Sequence, residues 1–134
     1  CSMTISAWGF LAGLTIIVAA NPALADCASP RVLEGASGKI RLCYHPEQGE
    51  FVSESCISAP CDILQLAKKT EKKPVMIPAS SLSGGKNPQS VACSKAGGEV
   101  RILRDSDGDE QSYCQSKKDK SLASTSLFKW SPED

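Results

Sequence analysis

Two stretches of the chain alternate polar and apolar residues with a period of two, and turn chemistry follows each. Lys39-Ile40-Arg41-Leu42-Cys43-Tyr44 reads as a half-buried strand, and His45-Pro46-Glu47-Gln48-Gly49-Glu50 as a turn. Phe51 to Ser55 then returns as the partner strand. Further on, Glu99-Val100-Arg101-Ile102-Leu103-Arg104 alternates in the same way. Asp105 to Asp109 turns around Asp107-Gly108, and Gln111 to Gln115 pairs back.

Helical grammar sits before the second hairpin and after the first. Ser58 is placed to cap a helix from Ala59 to Lys69, with Pro60 in its first turn and Asp62 near its positive end. Ile63, Leu66 and Ala67 give that helix one apolar face. Asn87 as N-cap and Pro88 at the first position predict a short helix from Gln89 to Ala96, stopped by Gly97-Gly98. The tail residues Leu122, Leu127, Phe128 and Trp130 are expected to close the core as a last strand or helical turn.

These elements imply an α+β fold made of small disulfide-stabilised units, each a β-hairpin with a short helix. Residues 1–25 read as an export signal: an uncharged run from Ala7 to Ala20, the breaker Asn21-Pro22, then Ala23-Leu24-Ala25 as a cleavage site. The apolar run is shorter than the ~20 residues that span a bilayer as a helix. Residues 26–73 form an N-terminal Cys-rich segment. Residues 74–86 form a Pro/Ser/Gly linker or strap, and residues 87–134 a second module. Gly38 to Leu42 and Gly98 to Ile102 resemble each other, and Cys56 and Cys114 follow the two hairpins, which suggests a degenerate duplication.

Composition narrows the function. Lys plus Arg and Asp plus Glu are equal at 15 each, so bulk electrostatics gives no reason to expect nucleic acid as a partner. Six cysteines follow Ala25: Cys27, Cys43, Cys56, Cys61, Cys93 and Cys114. An even count behind an export signal predicts a disulfide framework in a periplasmic or secreted protein. With aromatics at 5% of the chain, such cross-links would supply a large share of stability.

Asn87-Pro88-Gln89-Ser90-Val91-Ala92-Cys93, Gly97-Gly98, Gly108, Cys114 and Trp130 together resemble a family of small exported bacterial proteins labelled hemolysins, whose domain has no known function. The likeness covers residues 87–130. Its second half departs from the family pattern, with Lys117-Lys118-Asp119-Lys120 where a Pro/Gly turn is usual and Ser124-Thr125-Ser126 where an acidic-aromatic pair is usual. The resemblance implies a compact exported domain and supplies no catalytic residues. Membrane lysis needs a long amphipathic helix or enough strand for a barrel in the bilayer, and no stretch after Ala25 reads as either.

Cys93 and Cys114 flank a helix and hairpin and are expected to pair. The other four allow three pairings. A true duplication favours Cys27–Cys56 with Cys43–Cys61; otherwise Cys27–Cys43 with Cys56–Cys61 fits as well. Cys43, His45, Cys56 and Cys61 make a Cys₃His set, but their spacing is not that of a zinc knuckle. Cys43 and His45, two apart on a strand, have the arrangement of a thiolate and its base; a disulfide cysteine beside a turn histidine is the simpler account. Asp105 to Glu110 imitates the start of a calcium loop, yet Glu110 and Ser116 stand where Gly and Glu are required. Lys73 to Pro78 has the Pro-flanked form of a protease-inhibiting loop, with a plain linker as the simpler account.

The resulting expectation is a non-enzymatic exported binding module without metal or cofactor. Its partner would be a protein or cell-envelope ligand, with no stable membrane insertion after signal cleavage. An inhibitor of an envelope protease or hydrolase is the alternative, and a cysteine-dependent enzyme the weaker one.

Overall fold

The computed structural model describes Cys27 and residues 30–133, so the expected export signal lies outside the described residues. The chain runs β1 Arg31–Gly35, β2 Gly38–His45, β3 Glu50–Ser53, α1 Ser55–Ser58, α2 Asp62–Lys72 and β4 Val75–Pro78. It continues through a 3₁₀ turn Ala79–Leu82, α3 Pro88–Lys95, β5 Glu99–Arg104, β6 Glu110–Gln115 and β7 Leu122–Ser124. A second 3₁₀ turn Thr125–Leu127 leads into β8 Trp130–Glu133.

The mixed helix and strand content and the three disulfides match expectation, but the hairpins are not separate units. Six strands close into one barrel in the order β1-β2-β3-β7-β6-β5, and β4 pairs in parallel with β8 as a separate ribbon. Each side of residues 74–86 contributes three strands to the barrel. The two strands without a sequence signal explain the difference. Arg31–Gly35 has one buried side chain and Leu122–Ser124 is three residues long, too little for a period to show.

The barrel is built from two equivalent meanders, β1-β2-β3 and β5-β6-β7. Cys43 lies opposite Val52 as Cys114 lies opposite Ala123, and Val52 in turn lies opposite Ala123. On the other side, Glu34 lies opposite Arg104. Each joining pair therefore matches equivalent residues, at an offset of 70 in β1/β5 and 71 in the other strands. This is the signature of a pseudo-twofold axis through both joints.

The duplication thus has a different register from the one that Gly38–Leu42 and Gly98–Ile102 suggest. β1 corresponds to β5 and β2 to β6, so Cys43, not Cys56, is the counterpart of Cys114. The disulfides agree with this register: Cys27–Cys43, Cys56–Cys61 and Cys93–Cys114. The pairs Cys27–Cys56 and Cys43–Cys61 do not form. Two of the bonds tie the segment ahead of a meander to that meander's middle strand, closing separations of 16 and 21 residues. Each is worth about 3 kcal/mol by loop entropy.

Side chains of directly opposed residues share a face. Inside the barrel, Leu33, Leu42, Leu103, Tyr113 and Leu122 are buried against one another, with Ile40 and Phe51 packed on them. Leu33 and Leu103 are equivalents, as are Leu42 and Tyr113, and Phe51 and Leu122. The outer face at Val52, Ala123, Cys43 and Cys114 is also buried. Over Val52, Ala123 and Cys114 lies a second core of Ile63, Ala67, Ile77, Ala92, Leu127 and Phe128 from α2, β4, α3 and the tail. The tail residues Leu127 and Phe128 close the core as expected.

Asn87 caps α3 as predicted, its Oδ1 accepting from Gln89 N at 2.8 Å and Ser90 N at 3.4 Å. The preceding helix differs. Ser55–Ser58 forms a short helix of its own, Pro60 falls in the gap, and α2 starts only at Asp62. Residues 74–86 are not a free linker, since Val75–Pro78 is β4 and Ile77 is fully buried.

Gly98 sits where no side chain fits: a Cβ there would overlap Cys114 Sγ and crowd Cys93 Sγ at 3.1 Å. Gly98→Ala is expected to lose about 1–3 kcal/mol in urea denaturation. An unchanged midpoint would contradict this packing.

Candidate functional site

All six cysteines from Cys27 onward are in disulfides, which removes the thiolate that the Cys43/His45 pair would need. The Cys₃His set is likewise not assembled, because Cys43 is bonded to Cys27 while Cys56 is bonded to Cys61. The nearest grouping by ligand atoms is Cys27, Cys43 and Glu54, two members of which are one disulfide. The cysteines are scaffold.

His45 ends β2 and opens the β2–β3 turn, where its carbonyl accepts from Gln48 N at 3.1 Å and Gly49 N at 2.8 Å. Its ring borders a cleft of about 380 Å³ between that turn and the start of α2. The Cys56–Cys61 disulfide and Ile57 to Pro60 form one wall, Leu64 and Lys68 another, and Gln48 and Gln65 supply amides. His45 Nδ1 is buried without a hydrogen-bond partner. Most buried polar atoms in folded proteins are paired, so this one marks unused bonding capacity. Spacing singles out His45 as a partner for Cys43; what the fold does is set it beside a different disulfide.

Beside this cleft, the β6–β7 loop reaches the start of α2. Asp62 N donates to Asp119 Oδ2 at 2.9 Å, and Ile63 N to Ser121 Oγ at 3.1 Å. The helix is capped from 57 residues away instead of by Ser58, a contact with no local signal. Ser121 N and Oγ donate to Asp119 Oδ1 at 3.0 and 2.6 Å, and Ser116 Oγ donates to Asp62 Oδ2. Burial works against ionisation of Asp119. The hydrogen bonds from Ser121, Asp62 and Ser116 outweigh it and bring the pKa down to about 2 from 3.8. The Lys117–Lys120 loop therefore has a structural role.

Asp105, Asp107 and Asp109 sit together at the exposed β5–β6 turn. Asp105 Oδ1 accepts from Asp107 N and Asp109 N, both at 2.9 Å, which accounts for the acidic motif as turn chemistry. The segment offered as an inhibitory loop is largely β4. Met76 is half exposed there, but the strand is paired along its length with β8. Among the described residues, no helix is long and apolar enough to cross a membrane.

Comparison with protein-family models, curated proteins and solved structures found no match to this chain.

Two predictions concern the loop that caps α2. Asp119 has a lowered folded pKa, so its contribution is fully present above the unfolded value and lost as pH falls through about 2. Asp119→Asn is expected to lower the urea midpoint at neutral pH, with the gap to wild type closing between about pH 4 and pH 2. A gap independent of pH would show that the carboxylate charge is irrelevant. Lys120 has φ +64°, a left-handed conformation costly for a side-chain-bearing residue. Lys120→Gly should gain about 1 kcal/mol, read by the same titration; a loss would contradict the strain.

Proposed function

We propose that this chain is an exported, non-enzymatic binding module that recognises a small polar ligand in the His45 cleft. The observation that carries this reading is the unpartnered His45 Nδ1 at the edge of a cleft whose wall is covalently fixed. A wall held by a disulfide needs little ordering on binding, which lowers the entropic cost of recognition. The barrel interior is filled by its own side chains, so ligands meet the outer surface rather than a central cavity. Turning the imidazole about its Cβ–Cγ bond would present Nδ1 to the cleft. There it would accept from, or donate to, a ligand group alongside Gln48 and Gln65. The disulfides support an oxidising compartment, periplasmic or extracellular. The resemblance to the hemolysin-labelled family is retained as a proposal for residues 87–130, without a lytic activity.

The test is an NMR screen of polar fragments against the oxidised protein. Hits are expected to perturb His45, Gln48 and Gln65 together, and His45→Ala should weaken them at least about tenfold, equivalent to losing one buried hydrogen bond. Hits that ignore His45→Ala, or a screen without hits in the cleft, would overturn the reading.

A further inference from the structure

α2 ends in a run of lysines, and the fold brings one more to them from the tail. Lys68, Lys69, Lys72 and Lys73 are all exposed, with Lys69 and Lys72 in the last turn. The negative end of a helix favours cations, which accounts for these four. Lys129 is a different case. Its backbone N donates to Thr70 Oγ1 at 2.9 Å, and its carbonyl accepts from Val75 N at 3.0 Å, which fixes it beside the same helix end. Both contacts use the backbone, so the fold does not require a lysine there, and its charge adds repulsion to the cluster. Among the described residues, the one ion pair is Arg104–Glu110, so none of these five ammonium groups is paired.

The surrounding elements do not neutralise the cluster. Glu71 is the one carboxylate between Ile63 and Gly98, a span that also carries Lys86 and Lys95, and residues 121–128 carry no charge. Asp62 stands at the other end of α2, about 15 Å from Lys72 along the axis, and Glu47 borders the His45 cleft with Lys68. Glu133, with Asp134 next in sequence, lies about 13 Å beyond Lys129 along the extended chain, more than a Debye length of ~10 Å. The ribbon of β4 and β8 adds an apolar tip. Val75 lies opposite Trp130 and Ile77 opposite Pro132, and Ile77 is fully buried in the second core. Alternation then turns Met76 and Ser131 outward, and Lys129, two residues before Ser131, to the same side. Met76 is 50% exposed.

We infer that this surface, Lys69, Lys72, Lys73 and Lys129 around Met76, docks the protein on a bilayer bearing anionic phospholipid. Lysines present compact charges on long stems, suited to many headgroup phosphates at once, and the cluster contains no arginine fork for a single carboxylate or phosphate. A soluble polyanion would use the lysines alone. A bilayer surface also takes up Met76, at the boundary of headgroups and acyl chains. The surface is separate from the His45 cleft and does not depend on it.

Co-sedimentation of the full oxidised protein with vesicles tests this, using phosphatidylcholine alone or mixed with phosphatidylglycerol. Vesicles without the anionic lipid report any binding that the apolar run in residues 7–20 contributes. Partition is expected to rise at least about tenfold with phosphatidylglycerol and to lose that gain at high salt. Each lysine near such a surface is worth about fivefold, so Lys69→Gln with Lys129→Gln should lower partition at least about tenfold. Met76→Ser should lower it further, and the equal charge change Lys39→Gln with Arg41→Gln should leave it unaltered. All the substituted residues are exposed, and an unaltered melting temperature verifies folding. Equal binding to both vesicle types overturns the inference, as does an equal loss in the Lys39/Arg41 variant. Binding to soluble polyglutamate as tight as to vesicles, with no effect of Met76→Ser, would mark a general polyanion patch and also overturns it. Vesicle binding lost in His45→Ala but kept in the Lys69/Lys129 variant would assign the lipid to the cleft and overturn it, leaving the cleft reading intact.

Discussion

A single backbone pairing, Val52 opposite Ala123, joins the two meanders on the covered side of the barrel. One pair is too little to hold two three-stranded sheets together, and its surroundings make the joint stable. Cys43 and Cys114 stand on either side in the same row, each anchored by a disulfide to the segment ahead of its own meander. Leu122 N donates across the joint to Ser53 Oγ at 2.7 Å, and Ser126 Oγ to Glu50 at 3.0 Å. The second apolar core then seals the joint from water.

The other joint is made from equivalent residues but lacks that layer. Across it runs a row of alternating charge, Lys39, Glu34, Arg104 and Glu110, in which Arg104 and Glu110 form an ion pair. Exposed pairs of this kind contribute little to stability, so the row sets register more than it holds the barrel shut. The asymmetry arises from the segments C-terminal to each meander. After β3 the chain supplies α1, α2, β4 and α3; after β7 it supplies a 3₁₀ turn and β8. Both sets gather on the same side, and β4 pairs with β8 there. The opposite side is left as surface.

Much of the local structure was legible in the residues. Asn87 with Pro88, Gly97-Gly98 and the β5–β6 hairpin come from chemistry a few residues in extent, and the Cys93–Cys114 bond from two cysteines that flank that helix and hairpin. Barrel closure was not, because β1 and β7 are short and the joints rest on one pair each. The start of α2 escaped for a related reason: Ser58 is a good capping residue nearby, but Asp119 and Ser121 occupy the amides from a distant loop. Repetition in the sequence pointed to a duplication, yet the likeness of Gly38–Leu42 to Gly98–Ile102 gave the wrong register. The buried residues Leu33 and Leu103, or Cys43 and Cys114, give the right one. His45 was visible as a candidate, but its cleft is assembled from β2, the Cys56–Cys61 loop and α2, whose packing is not a sequence pattern.

The central claim is that one joint of the barrel is sealed and its twofold counterpart is open. Native-state hydrogen–deuterium exchange resolves this residue by residue. Amides of β3 and β7 around Val52 and Ala123 are predicted to exchange only through global unfolding. Those β5 amides between Glu99 and Leu103 that point away from β6 are predicted to exchange orders of magnitude faster. Equal protection at the two joints would contradict the account.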